Sequence, residues 1–216
     1  MRTKLFFIIF FCFTVKTQII YSLQTNVEIF DVDKFLNEVQ HNYKNLENFI
    51  VEFTRETSSP AVRGKQISRG KLYFLNKNKY RLEVNGQLIV SDGETIYNYF
   101  KKAKRIVITK FEENFFSSEN LLTNLPQSSK KEFLGEENLN NKKVFKFQFY
   151  PASSNMEFKS LILWITGNKI IQRIQVEDWA GNVYILNIIS FSKNKQLRDD
   201  LIKFKIPAGV KVVDLR

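Results

Sequence analysis

The side chains best suited to chemistry are few and far apart. There is one histidine, His41, and one cysteine, Cys12. A metal centre needs several His, Cys, Asp or Glu ligands at set spacings, and a nucleophile needs a base beside it. His41 has neither kind of neighbour in sequence, and on a helix it reads as a solvent-facing residue. Two carboxylate pairs could suggest acid–base work, Glu136-Glu137 and Asp199-Asp200. Adjacent strand residues point to opposite faces, so the first pair cannot converge on one substrate. The second falls in a turn before the last strand. No Gly-rich phosphate loop, Gly-x-Ser-x-Gly elbow or helix-turn-helix is present. The residues therefore point to no enzyme, metal, cofactor or nucleic acid.

What the chain has instead is aromatic bulk, with 21 Phe and 8 Tyr against 8 Gly and 4 Pro in 216 residues. Such a composition favours strands and supplies large apolar surface. The formal charge is +11. Residues 1–22 contain Arg2, Lys4 and Lys16 and no acid, so the remainder carries 11 − 3 = +8. The other lysines (Lys65, Lys71, Lys77, Lys79, Lys101, Lys102, Lys104) are scattered over strands and turns, as on solvated faces. That balance suits transient contact with an anionic membrane surface.

Several elements must position the aromatic surface. Residues 1–22 read as a signal peptide: a short basic head, an apolar run from Leu5 to Val15, and a small residue at Ser22. The run is too short to span a bilayer. Cys12 lies within it, so the mature chain has no thiol. Residues 23–30 read as a linker and 31–216 as one domain. Asp31 or Asp33 caps a helix of about four turns, with Phe35, Leu36, Val39, Tyr43 and Leu46 on one stripe. A first strand opens at Phe49, and residues 57–66, around Ser58-Ser59-Pro60, read as a loop. Tyr80, Leu82 and Val84 alternate with Lys79, Arg81 and Glu83, the period of a half-buried strand. Asn85-Gly86 predicts a type I′ hairpin, and Asp92-Gly93 a second turn of the same kind. Ser117 or Ser118 starts a short helix that Pro126 ends. Strands are expected at 132–139, 144–150, 158–166, 169–178 and 183–192, and a last one through Ile202, Phe204 and Ile206. No helix separates them, which argues against parallel crossovers. The expected fold is mainly β. It is one large curled antiparallel sheet, an incomplete half-barrel of about eleven strands, with two or three short helices covering the concave face.

Residues 68–111 also carry a family likeness. Gly70-Lys71-Leu72-Tyr73, a basic strand ending Tyr80-Arg81, then Ile89-Val90-Ser91-Asp92-Gly93 and an aromatic strand resemble the LolA family. The tail Pro207-Ala208-Gly209-Val210-Lys211-Val212-Val213-Asp214 resembles that family's closing strand. The likeness spans about residues 31–216 and implies a periplasmic carrier of outer-membrane lipoproteins. One position departs. Asn76 and Lys77 stand where the family often has a basic residue and Pro, a pair implicated in holding the lid shut.

A single sheet of this size hides its concave side only if it curls and is covered. Side chains assigned to an apolar acyl-chain cavity are Val39, Tyr43 and Leu46 from the helix and Phe49, Phe53, Leu72, Phe74, Tyr80, Leu82, Phe147 and Phe149 from strands. Leu121 and Leu122 come from the short helix, read as a lid. The resemblance implies acylated lipoproteins as cargo, an inner-membrane lipoprotein-releasing ABC transporter as donor and an outer-membrane acceptor. The carrier is expected to be a monomer. The alternative is an envelope module of the same fold that senses lipid or mislocalised lipoprotein; an enzyme of unknown type ranks below it.

Overall fold

The computed structural model describes residues 30–76, 78–112, 130–151, 158–193 and 195–216. The predicted signal peptide, the linker up to residue 29 and the short helix at 117–126 lie outside these residues, as do Leu121 and Leu122.

Helix α1, Val32–Lys44, begins where the Asp31 carboxylate accepts the Lys34 N–H at 2.9 Å. This satisfies one of the free donors of the first turn. The helix ends at Lys44, so Leu46 lies beyond it and is half-buried. Among the described residues twelve strands follow, against about eleven expected. They are β1 Phe49–Ser59, β2 Val62–Asn76, β3 Lys79–Val84, β4 Gln87–Asp92, β5 Thr95–Phe100 and β6 Arg105–Lys110. Then come β7 Lys130–Leu139, β8 Lys142–Tyr150, β9 Ser160–Thr166, β10 Ile171–Glu177, β11 Val183–Lys193 and β12 Lys211–Asp214. They form one sheet in the order β12-β6-β5-β4-β3-β2-β1-β11-β10-β9-β8-β7. The first strand is thus central. Hairpins run outward from it on one side to β6 and, on the other, from β11 out to β7.

Three expectations need correction. Residues 57–66 are not a loop: β1 continues to Ser59 and β2 starts at Val62, leaving a tight turn at Pro60-Ala61. The sheet is not wholly antiparallel, because β12 pairs in parallel with β6. A parallel pair cannot be closed by a tight turn; here β7–β11 intervene in sequence between β6 and β12, and no crossover helix is needed. The last strand is not Ile202–Ile206. A single 3-10 turn, Asp199–Ile202, ends at the first residue of that stretch, Lys203 is extended, and the chain on to Ile206 makes no ladder bonds.

The turns show which backbone geometry each sequence can hold. Asn85 (φ 49°) and Gly86 (φ 75°) join β3 to β4 as predicted for type I′. Asn140 and Asn141, at 51° and 60°, join β7 to β8 in the same manner. The β4–β5 turn differs. Only Gly93 has positive φ (101°), and Asp92 Oδ1 accepts from the N–H groups of Glu94 (3.0 Å) and Thr95 (2.8 Å). It is held by an aspartate side chain rather than by a I′ backbone.

Candidate functional site

Strand register fixes which side chains share a face. Phe49 stands opposite Phe74, which stands opposite Tyr80; Leu72 stands opposite Leu82. Across the other edge of β1, Val51 pairs with Phe191 and Arg55 with Leu186. From Leu186 the same face continues through Ile174, Leu163 and Phe147, and beside them through Val176, Leu161 and Phe149. Phe133 of β7 completes the row against Phe147. All the strand residues assigned from sequence to the cavity therefore lie on one face. Phe49, Phe53, Leu72, Phe147 and Phe149 are no more than 1% exposed; Tyr80 and Leu82 are also buried. Phe74 is half-buried and stacks on Phe49 at 4.7 Å.

Helix α1 lies on this same face. Its Phe35 ring meets Phe145 and Phe147, at 5.1 and 5.3 Å. Tyr43 meets Phe191 at 5.5 Å, and its hydroxyl accepts the Ile171 N–H at 3.1 Å. Burial pushes the Tyr43 phenol far above its usual range, against the opposing pull of that N–H. Val39 is fully buried between them in sequence. Ion pairs fasten the helix rim: Asp33 to Lys131 at 2.9 Å and Glu38 to Lys169 at 3.0 Å. Lys169 also sits 3.9 Å above the Phe35 ring. Each of Phe35, Leu36, Val39 and Tyr43 gains about 1.5–3 kcal/mol by burial, so packing rather than helix propensity holds α1.

Sequence reasoning omitted half of this face. Phe35, Leu161, Leu163, Ile174, Val176, Leu186 and Phe191 belong to it. The signal was present in β10, where Ile174 and Val176 alternate with Arg173, Gln175 and Glu177. The opposite face is also partly apolar. Leu88 and Val90 of β4 pair with Tyr99 and Tyr97, and these with Ile106 and Ile108. Phe204 covers this patch, 5.3 Å from Tyr97 and 6.2 Å from Tyr99. The residues after β11 thus form a strap across the outer face. Lys195 N–H anchors its start on Asn48 Oδ1 at 2.8 Å. At its far end the Lys211 N–H reaches Lys104 O at 2.9 Å, where β12 joins the sheet.

Residues 44–205 match the family described as outer membrane lipoprotein carrier protein LolA. The chain belongs to the LolA family. An outer-membrane lipoprotein carrier protein of Haemophilus ducreyi is 23% identical over 203 residues, 92% of this chain and 93% of that one. Another, from Nitrosospira multiformis, is 27% identical over 152 residues, 68% of this chain and 73% of that one. A solved structure of an uncharacterized conserved protein from Thermus thermophilus covers 85% of this chain and 98% of its own, at 16% identity with a TM-score of 0.57. That last likeness is one of fold.

The blocks that resemble other LolA-family chains have physical jobs here. Gly70 stands opposite Phe53, and a Cβ at Gly70 would lie 2.4 Å from the Phe53 Cζ. The glycine lets the ring lie flat on the sheet. The Ser91 hydroxyl accepts the Gly93 N–H at 3.2 Å, and with Asp92 it locks the β4–β5 turn. Asn76 pairs with Lys79 at the β2–β3 turn; Lys77 and the Asn76 side chain lie outside the described residues.

The candidate chemical residues stay apart. His41 is exposed, with its Nε2 2.8 Å from Asn45 Nδ2. Glu136 and Glu137 go to different cations, Lys143 at 2.6 Å and Lys146 at 3.8 Å. Asp200 pairs with Arg198. Among the described residues no three His, Cys, Asp or Glu side chains gather to hold a metal, and no helix is long and apolar enough to cross a membrane.

Proposed function

We propose that this chain is a periplasmic carrier that takes acylated lipoproteins from an inner-membrane ABC transporter and delivers them to an acceptor at the outer membrane. The observation that carries this reading is the continuous apolar face shared by β1–β3, β8–β11 and α1, in a family described by lipoprotein carriage. Acyl chains bind there by burial, at about 0.8 kcal/mol per CH₂, with no covalent step. The residues that receive them are Val39, Tyr43, Leu46, Phe49, Phe53, Leu72, Phe74, Tyr80, Leu82, Phe147 and Phe149, with Leu121 and Leu122 as the lid. Residues 1–22 direct export, and the carrier works as a monomer.

The test is release of a lipoprotein from spheroplasts by the purified chain. Cargo should appear in the soluble fraction bound one to one, with its acyl chains protected from lipase. A Tyr80→Glu variant puts a charge on the face and should release at least tenfold less. Lipoprotein that stays membrane-bound with the wild-type chain would overturn the carrier reading.

A further inference from the structure

The helix-side face has one residue out of character. Along β1 the helix-side positions read Phe49, Val51, Phe53 and then Arg55, whose cross-strand partners are Ser68 and Leu186. The Arg55 Nε is buried and has no hydrogen-bond partner. No ion pair among the described residues includes this guanidinium. The neighbouring acids are engaged elsewhere. Glu52 and Glu56 alternate onto the outer face, paired with Lys71 at 3.0 Å and Lys65 at 3.6 Å. Asp178 accepts from Asn182 N and Nδ2, both at 2.8 Å, and from the Tyr184 hydroxyl at 3.3 Å. The Arg55 side chain is half-buried, and its Nε–H is shut off from water with no acceptor in its place, which costs the unmade hydrogen bond. The guanidinium keeps its charge at any accessible pH, so it stays available to an anion.

We propose that Arg55 binds the anionic head of an acyl lipid, a carboxylate or phosphate, whose chain lies along Phe53, Leu72 and Phe49. This rests on the acyl-chain reading of the helix-side face. The dimensions agree: six residues of strand from Arg55 to Phe49 span about 20 Å, the length of a long fatty acyl chain. The planar fork of arginine suits two-oxygen acceptors. The triacylated cysteine of a lipoprotein has no such group, so Arg55 adds a class of ligand, free fatty acid or acidic phospholipid.

Competition against a fluorescent fatty alcohol tests it on the full chain, with hexadecanol, palmitate, lysophosphatidate and inorganic phosphate as probes. Palmitate or lysophosphatidate should bind at least tenfold tighter than hexadecanol; which of the two wins identifies the source of the anion. Inorganic phosphate alone should not displace the probe. Arg55→Gln and Arg55→Met should bring acid and alcohol within twofold of each other while leaving hexadecanol affinity unchanged; Arg55→Lys should keep part of the preference. Without ligand, Arg55→Met should melt no lower than wild type, the opposite of what a structural arginine predicts. Equal affinity for acid and alcohol in wild type, or a preference that survives Arg55→Met, overturns the inference but spares the cavity. Failure of wild type to bind hexadecanol overturns the cavity reading and this inference with it.

Discussion

Replacing Gly70 with alanine probes the central strands at the point of closest approach. The added Cβ would sit 2.4, 2.8 and 3.0 Å from three carbons of the Phe53 ring. Carbons in contact need about 3.5–4.0 Å, so the ring must move. Phe53 is 1% exposed and lies mid-strand on the helix-side face, with no open side to move into. Over-packing of this kind costs about 1–3 kcal/mol. The Gly70 φ is not positive, so alanine also gains about 0.5–1 kcal/mol from a less flexible unfolded chain. At mid-range values the net loss is about 1 kcal/mol, with a ceiling of about 2.5 kcal/mol. For a domain of this size each kcal/mol lowers Tm by about 2–4 °C, giving a fall of roughly 2–4 °C at mid-range and at most about 10 °C by circular dichroism. Phe53→Leu removes the ring edge that the Cβ strikes. The double variant should therefore be more stable than the sum of the single losses by about 1 kcal/mol or more. Additivity within about 0.5 kcal/mol, or an alanine variant as stable as wild type, would refute the claim that Gly70 exists to seat Phe53.

Tyr43→Phe leaves the Ile171 N–H buried without its acceptor and should lose about 1–3 kcal/mol in urea unfolding with the m-value unchanged. Asp92→Ala removes the acceptor of two backbone N–H groups and should lose about 1–2 kcal/mol, with faster amide exchange at Glu94 and Thr95. Phe204→Ala strips the ring from Tyr97 and Tyr99; it should cost about 3 kcal/mol or less and speed amide exchange at Lys211 and Leu215, sparing α1. Asp214 is held down to about 2 by hydrogen bonds and charge from Arg216. A lowered carboxylate supports the fold above its ordinary pKa and loses that support as pH falls toward about 2. Its carboxyl carbon shift should therefore titrate near that value, and higher in Arg216→Gln, though still below the usual value of about 3.9 because the backbone N–H of residue 216 remains.

Much of the central sheet was legible because alternation and turn chemistry are local. Tyr80, Leu82 and Val84 announce their face without any knowledge of their partners, and Asn85-Gly86 sets the register of β3 on β4. The strap escapes a reading of the sequence for a physical reason. Ile202, Phe204 and Ile206 alternate with Lys203 and Lys205 as in a half-buried strand, yet Ile202 ends a 3-10 turn, Phe204 rests on Tyr97 and Tyr99, and Ile206 is exposed. Period two cannot tell a hydrogen-bonded strand from a strap, because the difference lies in the backbone partner. A clue lay elsewhere, in β4 to β6. Leu88-Ile89-Val90 and Ile106-Val107-Ile108 are apolar on successive residues, the mark of a strand covered on both sides. The 57–66 error has the opposite origin. Thr57, Lys65 and Gln66 are polar in strands that extend past the core, where ladder bonds rather than burial hold the chain.

The two coverings fall on opposite faces and on opposite halves of the sheet. Helix α1 meets β7, β8, β10 and β11 from the inside, and the strap meets β5 from the outside while its 3-10 turn lies beside β3 and β4. A carrier must keep its binding face in shape whether loaded or empty. If one inner lid covered every strand, opening it would strip all of them of support at once. Bracing β3–β6 from behind removes that coupling, since the outer contacts of Leu88, Val90, Ile106 and Ile108 do not depend on what occupies the inner face. On the proposed carrier reading, ligand exchange would break only inner-face contacts, and the strap residues would contribute to stability in both states.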